Sequence, residues 1–256
     1  MRPLLNGGTL GGRPNLQREL ESKGFVTVAG AVDDAQRARL LALLEPEGLL
    51  RATRHPSGIV FAARHLLFTI PQLRAELTAC GVTDLASRIL EADAFPVDAT
   101  YFDKQAVANW TVPVHQDRVL PVCLDRDRKH RVAPGGVTVA EPSQATLARL
   151  LALRIHFDLT DRDTGALFVL PGSHATGVLG SEQISQTPLS SFVPCVAQPG
   201  DVILMRPLLL HRSSPSTGDG HRRVLHIVYA TEQPDDGFRW RASAQQAVEA
   251  DGRASS

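Results

Sequence analysis

The second part of the chain alternates short apolar runs with glycine and proline. From about residue 95, seven such segments follow one another, at residues 95–102, 110–117, 153–160, 166–172, 191–196, 201–207 and 222–230. Runs of this length, rich in valine, isoleucine and phenylalanine and bounded by turn residues, are typical of β-strands. Because strands follow strands without regular crossover helices, the pattern predicts a mainly β fold, a double-sheet barrel with flanking helices.

Helical signals dominate the first half of the chain instead. Asp33 is placed to cap a helix that ends before Gly48 and carries a leucine stripe, formed by Leu40, Leu41, Leu43 and Leu44. Pro71 and Asp84 are placed to start two more helices, at about residues 71–80 and 84–92. A further helix is predicted after Ser143, within the β region, with one apolar face formed by Leu147, Leu150 and Leu151.

The two ends of the chain lack a regular pattern. Residues 1–15 are rich in glycine and residues 242–256 are polar, so we expect mobile tails around a core of about residues 17–241. With no linker or repeat between them, residues 1–256 are predicted to form one domain. The 43% hydrophobic content is enough for such a domain to fold compactly.

Charge and cysteine content exclude several classes of function. The 27 Lys and Arg residues balance 27 Asp and Glu, which argues against nucleic acid or an anionic membrane surface as a partner. No apolar run is long enough for a membrane span or a signal peptide. The three cysteines, Cys80, Cys123 and Cys195, form no Cys-x-x-Cys pair and are predicted to be buried thiols. We therefore expect a cytoplasmic protein, while its oligomeric state is not readable from the sequence.

The segment at residues 112–117 carries the first candidate chemistry. In a strand, residues two apart share a face, so His115 and Asp117 can bind one metal ion while Gln116 points away. A second His-x-Asp pair, His156 and Asp158, has the same spacing. The spacing alone therefore leaves two candidate pairs.

A third candidate ligand follows at residues 208–223. The pattern predicts an apolar strand ending in His211, then a turn, then a returning strand that begins near Arg222. This arrangement would place an imidazole beside a fixed cation. Two histidines and one carboxylate with open positions are the ligands of non-haem Fe(II) oxygenases. An arginine is suited to bidentate binding of a carboxylate.

Taken in order, these motifs resemble the phytanoyl-CoA dioxygenase family. The resemblance runs from about residue 17 to 232 and rests on residues 23–28, 63–67, 103–104, 109–117, 153–158, 164–174 and 199–201, then His211 and Arg222. Bacterial members more often have Asn at the position of His65. The family consists of Fe(II)/2-oxoglutarate oxygenases on a double-stranded β-helix, a jelly-roll barrel like that of cupins, so this fold is the one expected here.

The resemblance implies a role for each matching residue. It makes His115, Asp117 and His211 the iron ligands, Arg222 the partner of the far carboxylate of 2-oxoglutarate, and Ser213 a second contact to that co-substrate. Related halogenases replace the carboxylate ligand with a small residue. The presence of Asp117 therefore implies that this chain uses Fe(II), 2-oxoglutarate and O2 to hydroxylate or otherwise oxidise a C–H bond.

Several other residues are candidates for contacts with substrate or co-substrate. They are Lys104, Asn109 and Trp110 before the metal strand, Arg154 and His156 on the polar face of another strand, and Arg64. Core packing is an equally good interpretation for Trp110. For Arg154 and His156, a structural hydrogen-bond network is an equally good interpretation. Arg223 is expected on the opposite sheet face from Arg222. The basic stretch at residues 126–131 is either a solvated loop or a site for a phosphate-bearing substrate.

Two other classes of function remain open on the residues alone. One is a cupin-type metal-dependent isomerase or lyase that works without 2-oxoglutarate, although cupin sites usually carry His-x-His and need no arginine at position 222. The other is a non-catalytic binding module, which would not need three metal ligands. In each case the expected partner is a small molecule, whose identity the sequence does not specify.

Overall fold

A computed structural model describes residues 13–44, 53–54, 60–105, 109–124, 129–218 and 220–241. The predicted tails at residues 1–12 and 242–256, Gly48, and residues 126–128 of the basic stretch lie outside the described residues. Within the described ranges, no helix is long and apolar enough to cross a membrane.

The described helices are short. In chain order they are α1 Arg13–Lys23, α2 Asp34–Leu43, α3 Gln72–Ala79, α4 Val82–Leu90, α5 Gln144–Arg149 and α6 Ser181–Ser185. Asp33 caps α2 as predicted, in a reciprocal pair of hydrogen bonds with Gln36. Helix α1 begins inside the segment that the sequence predicted to be a tail, so that prediction is wrong from Arg13 onward.

Two further helix boundaries differ from the prediction. Helix α4 begins at Val82 because Gly81, with φ of 77°, adopts the left-handed conformation before it. Asp84 consequently lies in the first turn, where its carboxylate interacts favourably with the helix dipole. Helix α5 ends at Arg149: Leu150 is extended and Leu151 already begins a strand, so only Leu147 of the predicted apolar face is helical.

Fifteen strands are described. They are β1 Phe25–Val28, β2 Thr53–Arg54, β3 Val60–Ala63, β4 Phe95–Lys104, β5 Val112–His115, β6 Leu120–Leu124, β7 Arg131–Ala133, β8 Val137–Ala140, β9 Leu151–His156, β10 Leu167–Val169, β11 Val193–Cys195, β12 Val202–Met205, β13 His211–Ser213, β14 Arg222–Ala230 and β15 Phe238–Trp240. Each of the seven segments predicted as strands overlaps one, whereas the other described strands, apart from β13, were not predicted. Strand β13 begins at His211, whereas the sequence predicted a strand ending there, because Pro207 and Leu208 form a turn.

The strands pair antiparallel in three sheets. A seven-stranded sheet has the order β1-β12-β9-β14-β4-β3-β2, and a four-stranded sheet has the order β11-β10-β13-β5. A third sheet, β15-β6-β8-β7, lies beside them. The mainly β class and the double-stranded β-helix that the sequence predicted are confirmed.

The two faces of the seven-stranded sheet have different partners. On the outer face, Leu153, Leu204 and Leu225 pack in one core with apolar residues of α1 to α4. On the inner face, Ala152, Ile203 and other apolar residues share a second core with Leu167 and Cys195 of the four-stranded sheet. Because side chains alternate between faces, the remaining inner-face positions point at the four-stranded sheet, and many of these are polar.

Cys80 and Cys195 are buried, as predicted, while Cys123 is only partly buried. Burial raises the pKa of Cys80 to about 11 and that of Cys195 to about 12. Both thiols therefore remain protonated and unreactive near neutral pH.

Replacing Leu153 by Ala is expected to lower the free energy of unfolding by about 2–5 kcal/mol, because this fully buried side chain joins the large sheet to the helices. Leu159→Ala is the matched control. Leu159 is 44% exposed, so its loss should change the free energy by no more than about 0.5 kcal/mol. Denaturant unfolding of both variants measures the difference, and equal effects would contradict this description of the core.

Candidate metal and co-substrate site

A cavity of about 140 Å³ opens between the large sheet and the four-stranded sheet. Eight of the eleven residues predicted for the site line it: His115, Asp117, His211, Arg222, Ser213, Arg154, Arg64 and Trp110. The other three, Lys104, Asn109 and His156, are not in this lining. The structure thus brings most of the predicted site into one place.

The three candidate metal ligands meet because β5 and β13 are neighbours. His115 and His211 are direct cross-strand partners, with ring centroids 4.1 Å apart. Asp117 follows just beyond the end of β5, and its Oδ1 lies 3.6 Å from Nε2 of each histidine. The ligand atoms of all three lie within 4.8 Å of one another. This is the only such cluster of His, Cys, Asp and Glu found among the described residues.

Gln116 points away from the cluster, as predicted, and anchors it. Its buried amide donates to the carbonyls of Gly177 and Leu208 and accepts from the backbone N–H of Leu179. The backbone N–H of Asp117 donates to the carbonyl of Pro207 at 2.9 Å. The loop that carries the carboxylate is therefore fixed by backbone and amide hydrogen bonds.

Backbone carbonyls set the orientation of both imidazoles. Nδ1 of His115 lies 2.9 Å from the carbonyl of Pro113, and Nδ1 of His211 lies 2.9 Å from that of Leu209. A carbonyl accepts only, so each Nδ1 carries the proton and each Nε2 presents its lone pair to the cavity. This tautomer is the one that binds a metal through Nε2.

The charge on the cluster suits a dication. Burial by itself would raise the pKa of Asp117, but His211 and His115 together hold it well below its usual range. Asp117 is therefore a carboxylate at every physiological pH. Burial opposes protonation of His115, yet its contact with Asp117 raises the pKa of the imidazole. Two imidazole nitrogens and one carboxylate oxygen fit the ligand set of Fe(II) in non-haem oxygenases.

His226 belongs to this centre, although the sequence analysis did not single it out. Its Nε2 lies 3.5 Å from Oδ2 of Asp117, and Arg154 donates to its Nδ1 at 3.2 Å. Burial lowers the pKa of His226 to about 3, so the ring is neutral, with its proton on Nε2 and directed at the carboxylate. The signal was present in the sequence: His226 lies on the same strand face as Arg222, at even spacing in an otherwise apolar strand.

Arg222 lies at the start of β14, opposite Lys104 of β4. Burial, with the charge of Arg154, lowers its pKa to about 9, so it stays protonated at neutral pH. No hydrogen bond or ion pair joins it to another described side chain, and its Nε is buried without a partner. The nearby Asp158 is already engaged on the other face of the sheet by two hydrogen bonds from Arg223. Arg222 is thus a buried cation facing a cavity without a counter-ion.

Lys104 lies behind the cavity wall. Its fully buried ammonium donates to Oγ of Ser213 at 2.9 Å and to the carbonyl of Ser214, and it lies 5.2 Å from the centre of the Trp110 ring. Burial, with the charges of Arg222 and Arg154, lowers its pKa to about 7. The structure therefore places Lys104 where it supports Ser213, while a contact with substrate or co-substrate stays a prediction.

Asn109 likewise supports the loop after β13. Its side-chain amide pairs with both the N–H and the carbonyl of Ser216. On the other side of the same loop Gly165, with φ of 77°, leaves no room for a Cβ, which would lie 2.8 Å from the carbonyl oxygen of Ser214. Trp110 does both things that the sequence allowed, because it lines the cavity and packs against Phe61.

The second His-x-Asp pair does not form a cluster of candidate metal ligands among the described residues. Nδ1 of His156 lies 2.9 Å from the hydroxyl of Thr160, while Asp158 binds Arg223 on the opposite face. Burial, with the charges of Arg154 and Arg222, lowers the pKa of His156 well below its usual range, so the ring is neutral. Arg223 is structural, as expected.

His65 adopts the left-handed conformation, with φ of 59°. Histidine is among the residues that tolerate this region better than most. Its Nδ1 lies 3.2 Å from Asp98, so His65 is held locally.

Comparison with known proteins was made on sequence and on fold. The phytanoyl-CoA dioxygenase (PhyH) family model matches residues 20–224. No curated protein gave a sequence match.

Three solved structures illustrate the likeness in fold. AviO1 from Streptomyces viridochromogenes Tue57 has a TM-score of 0.64 at 21% identity, covering 90% of this chain and 100% of its own. The non-heme alpha ketoglutarate dependent carbocyclase SnoK from nogalamycin biosynthesis has a TM-score of 0.63 at 17% identity. The match covers 88% of this chain and 84% of SnoK. EctD from S. alaskensis, solved with 2-oxoglutarate and 5-hydroxyectoine, has a TM-score of 0.64 at 16% identity. The match covers 91% of this chain and 82% of EctD. At these identities the likeness shows the shared fold.

Lys104→Met is expected to flatten the pH dependence of the free energy of unfolding. The pKa of Lys104 is about 7 in the folded protein and 10.5 ordinarily, so the unfolded chain binds more protons between these values. This group therefore makes the wild-type free energy of unfolding rise with pH across that window, by at most about 1.4 kcal/mol per pH unit. Denaturant unfolding at about pH 7, 8 and 9 measures the slope. Lys129→Met, at an exposed lysine, is the control and should keep the wild-type slope. If Lys104→Met had the same slope as this control, the lowered pKa of Lys104 would be contradicted.

Proposed function

Because the chain belongs to the phytanoyl-CoA dioxygenase family, we propose that it is an Fe(II)- and 2-oxoglutarate-dependent oxygenase that hydroxylates a C–H bond of a small metabolite. Succinate and CO2 are the other products. One observation carries the proposal: a cluster of two histidines and one carboxylate shares a cavity with the partnerless guanidinium of Arg222. The cluster is a donor set for Fe(II), and the guanidinium is a counter-ion for a carboxylate.

The metal would be held by Nε2 of His115, Nε2 of His211 and the carboxylate of Asp117. When bound, iron supplies, together with 2-oxoglutarate and O2, the oxidation that breaks the substrate C–H bond. The chain itself fixes the ligands: carbonyls orient the two imidazoles, and His226 directs its N–H at Asp117. The hydrogen bonds between the carbonyls and Nδ1 keep the two imidazoles in the binding geometry, and the His226 ring adds a polar contact to Asp117 at 3.5 Å.

The distal carboxylate of 2-oxoglutarate would be held by Arg222 and Ser213. The Ser213 oxygen already accepts from the Lys104 ammonium, so its own proton is free to donate to a carboxylate. Arg222 is nearly completely buried, which strengthens its attraction for that carboxylate because water does not screen it. The apolar side chains of Leu167, Phe102 and Trp110 line the same cavity and limit the access of water to the reacting atoms.

A cupin-type isomerase or lyase, or a binding module, explains fewer of these features. Either would use the three metal ligands or none, but neither would need Arg222 in its place. A buried guanidinium without a counter-ion costs several kcal/mol, so a chain that never binds a carboxylate there would gain stability by losing it. Arg222 therefore favours the oxygenase.

Arg222→Ala is expected to weaken 2-oxoglutarate binding by about 10-fold or more, because a buried charge-assisted contact is lost. Anaerobic titration of the Fe(II) protein with 2-oxoglutarate should produce a weak visible metal-to-ligand band, and the variant should need more co-substrate to reach it. Arg223→Ala is the matched control, since this neighbour binds Asp158 on the other sheet face. Equal affinities in wild type and Arg222→Ala, or succinate formation absent from a broad metabolite screen, would contradict the proposal.

His226→Phe is expected to weaken Fe(II) binding by about 10-fold, because Asp117 loses the N–H that orients it. His226→Gln keeps an amide donor of similar reach and should recover part of the affinity. Anaerobic metal titration compares the three proteins, with circular dichroism as the check on folding. If both variants bind Fe(II) like the wild type, His226 does not position the carboxylate.

A further inference from the structure

The cavity contains more positive charge than the proposed cofactors require. Among the described residues that line it, Asp117 is the one carboxylate, whereas Arg64, Arg154, Arg212 and Arg222 each bring a guanidinium. Asp117 and Fe(II) together carry a net charge of plus one. Binding of the 2-oxoglutarate dianion makes the net charge minus one, and the positive charge of Arg222 brings it to zero. Arg64, Arg154 and Arg212 then leave the loaded site with three positive charges. Arg212 stacks closely on Phe168, which leaves Arg64 and Arg154 as the two less occupied cations.

Arg154 is the deeper of the two. It projects from the inner face of β9, is 94% buried, and donates one hydrogen bond, to His226. Its Nε is buried without a partner, and no carboxylate pairs with it in the part of the chain that the structure describes. Burial lowers its pKa from the ordinary value, yet arginine remains charged at neutral pH. A desolvated guanidinium with donors unused is costly unless an anion binds there.

Arg64 is the outer of the two and is exposed to solvent. Its guanidinium lies 5.8 Å from the centre of the Phe102 ring, and that of Arg154 lies at the same distance from the same ring. Phe102 itself lines the cavity. Arg64 forms no ion pair with another described residue, so two cations lie near one aromatic ring without a carboxylate partner.

The neighbouring arginines are occupied in other ways. Arg212 stacks on Phe168, with its guanidinium 4.5 Å from the ring centre, and also lies near Phe192. Arg223 is paired with Asp158. Among the described arginines that line the cavity, Arg64 and Arg154 are therefore the two that have no counter-ion, no proposed role in binding 2-oxoglutarate and no close stacking contact of the kind that Arg212 makes.

We infer that the substrate carries an anionic oxygen group, a carboxylate or a phosphate, which Arg154 and Arg64 bind beside Phe102. The inference rests on the proposed function, since it assigns Arg222 to the co-substrate. Planar guanidinium groups match both kinds of anion by paired N–H donors. The Phe102 ring contacts both cations by cation–π interaction and offers an apolar surface to the rest of the substrate.

The test uses the full chain loaded with Fe(II) and 2-oxoglutarate under argon, with the visible band as evidence of loading. Propionate, inorganic phosphate and the neutral isostere propionamide are titrated separately, and binding is followed by line broadening of the probe's own NMR signals. Propionate, phosphate or both should bind, and propionamide should not. The anion that binds identifies the substrate group as a carboxylate or a phosphate.

Two variants assign the site. Arg64→Leu and Arg154→Gln should each weaken binding of the preferred anion by about 10-fold, since each removes a charge-assisted contact. Glutamine retains a donor for His226. The affinity for 2-oxoglutarate, read from the visible band, should stay within about twofold of the wild type. Arg88→Leu, an exposed arginine on α4, is the control and should change neither affinity.

Three results would overturn the inference: propionamide binding as tightly as propionate, anion affinity unchanged in both variants, or loss of 2-oxoglutarate affinity in Arg154→Gln equal to the loss of anion affinity. The last result would assign Arg154 to the co-substrate. Failure of the proposed function gives a different result, because the visible band would then be absent from the wild type. Probe line broadening does not require iron, so anion binding to Arg64 and Arg154 is measured in that case as well.

Discussion

The antiparallel pairing of β5 with β13 is the constraint on which the site depends. It places His115 directly opposite His211 and leaves Asp117 at the strand end, within reach of both rings. A shift of one residue in this register would turn one histidine to the other face of the sheet and separate the ligands. The buried amide of Gln116 fixes that register through three backbone partners.

The large sheet supplies the opposite wall of the cavity and most of its charge. On β14 and β9, the inner-face positions begin with apolar residues such as Val228 and Ala152, and change to His226, Arg154 and Arg222 along the strands. The apolar end provides the packing that holds the two sheets together. Because of that packing, the polar end can hold several cations away from water. Burying each cation costs desolvation free energy, which an anion bound there would offset.

Local patterns predicted seven of the fifteen described strands and the cap at Asp33, because alternation and capping act over a few residues. The boundaries of α4 and α5 were missed, since Gly81 and the start of β9 set them by backbone geometry and sheet pairing. The sequence left His115/Asp117 and His156/Asp158 equivalent by spacing. What separates them in the structure is long-range: β5 pairs with β13, whereas Asp158 meets Arg223 from β14.

Arg222 and Arg223 show how one strand separates chemistry from stability. The two are adjacent and chemically identical, yet alternation sends Arg222 into the cavity without a partner and Arg223 to a bidentate pair with Asp158. In the Arg223–Asp158 pair the two charges neutralise each other, and the pair stabilises the fold whether or not a ligand is present. Arg222 gains a counter-ion only from a ligand, and among the described residues Arg64 and Arg154 on the same cavity share this property. The unpaired charges, rather than the metal ligands, are therefore the features that distinguish which molecules this site can accept.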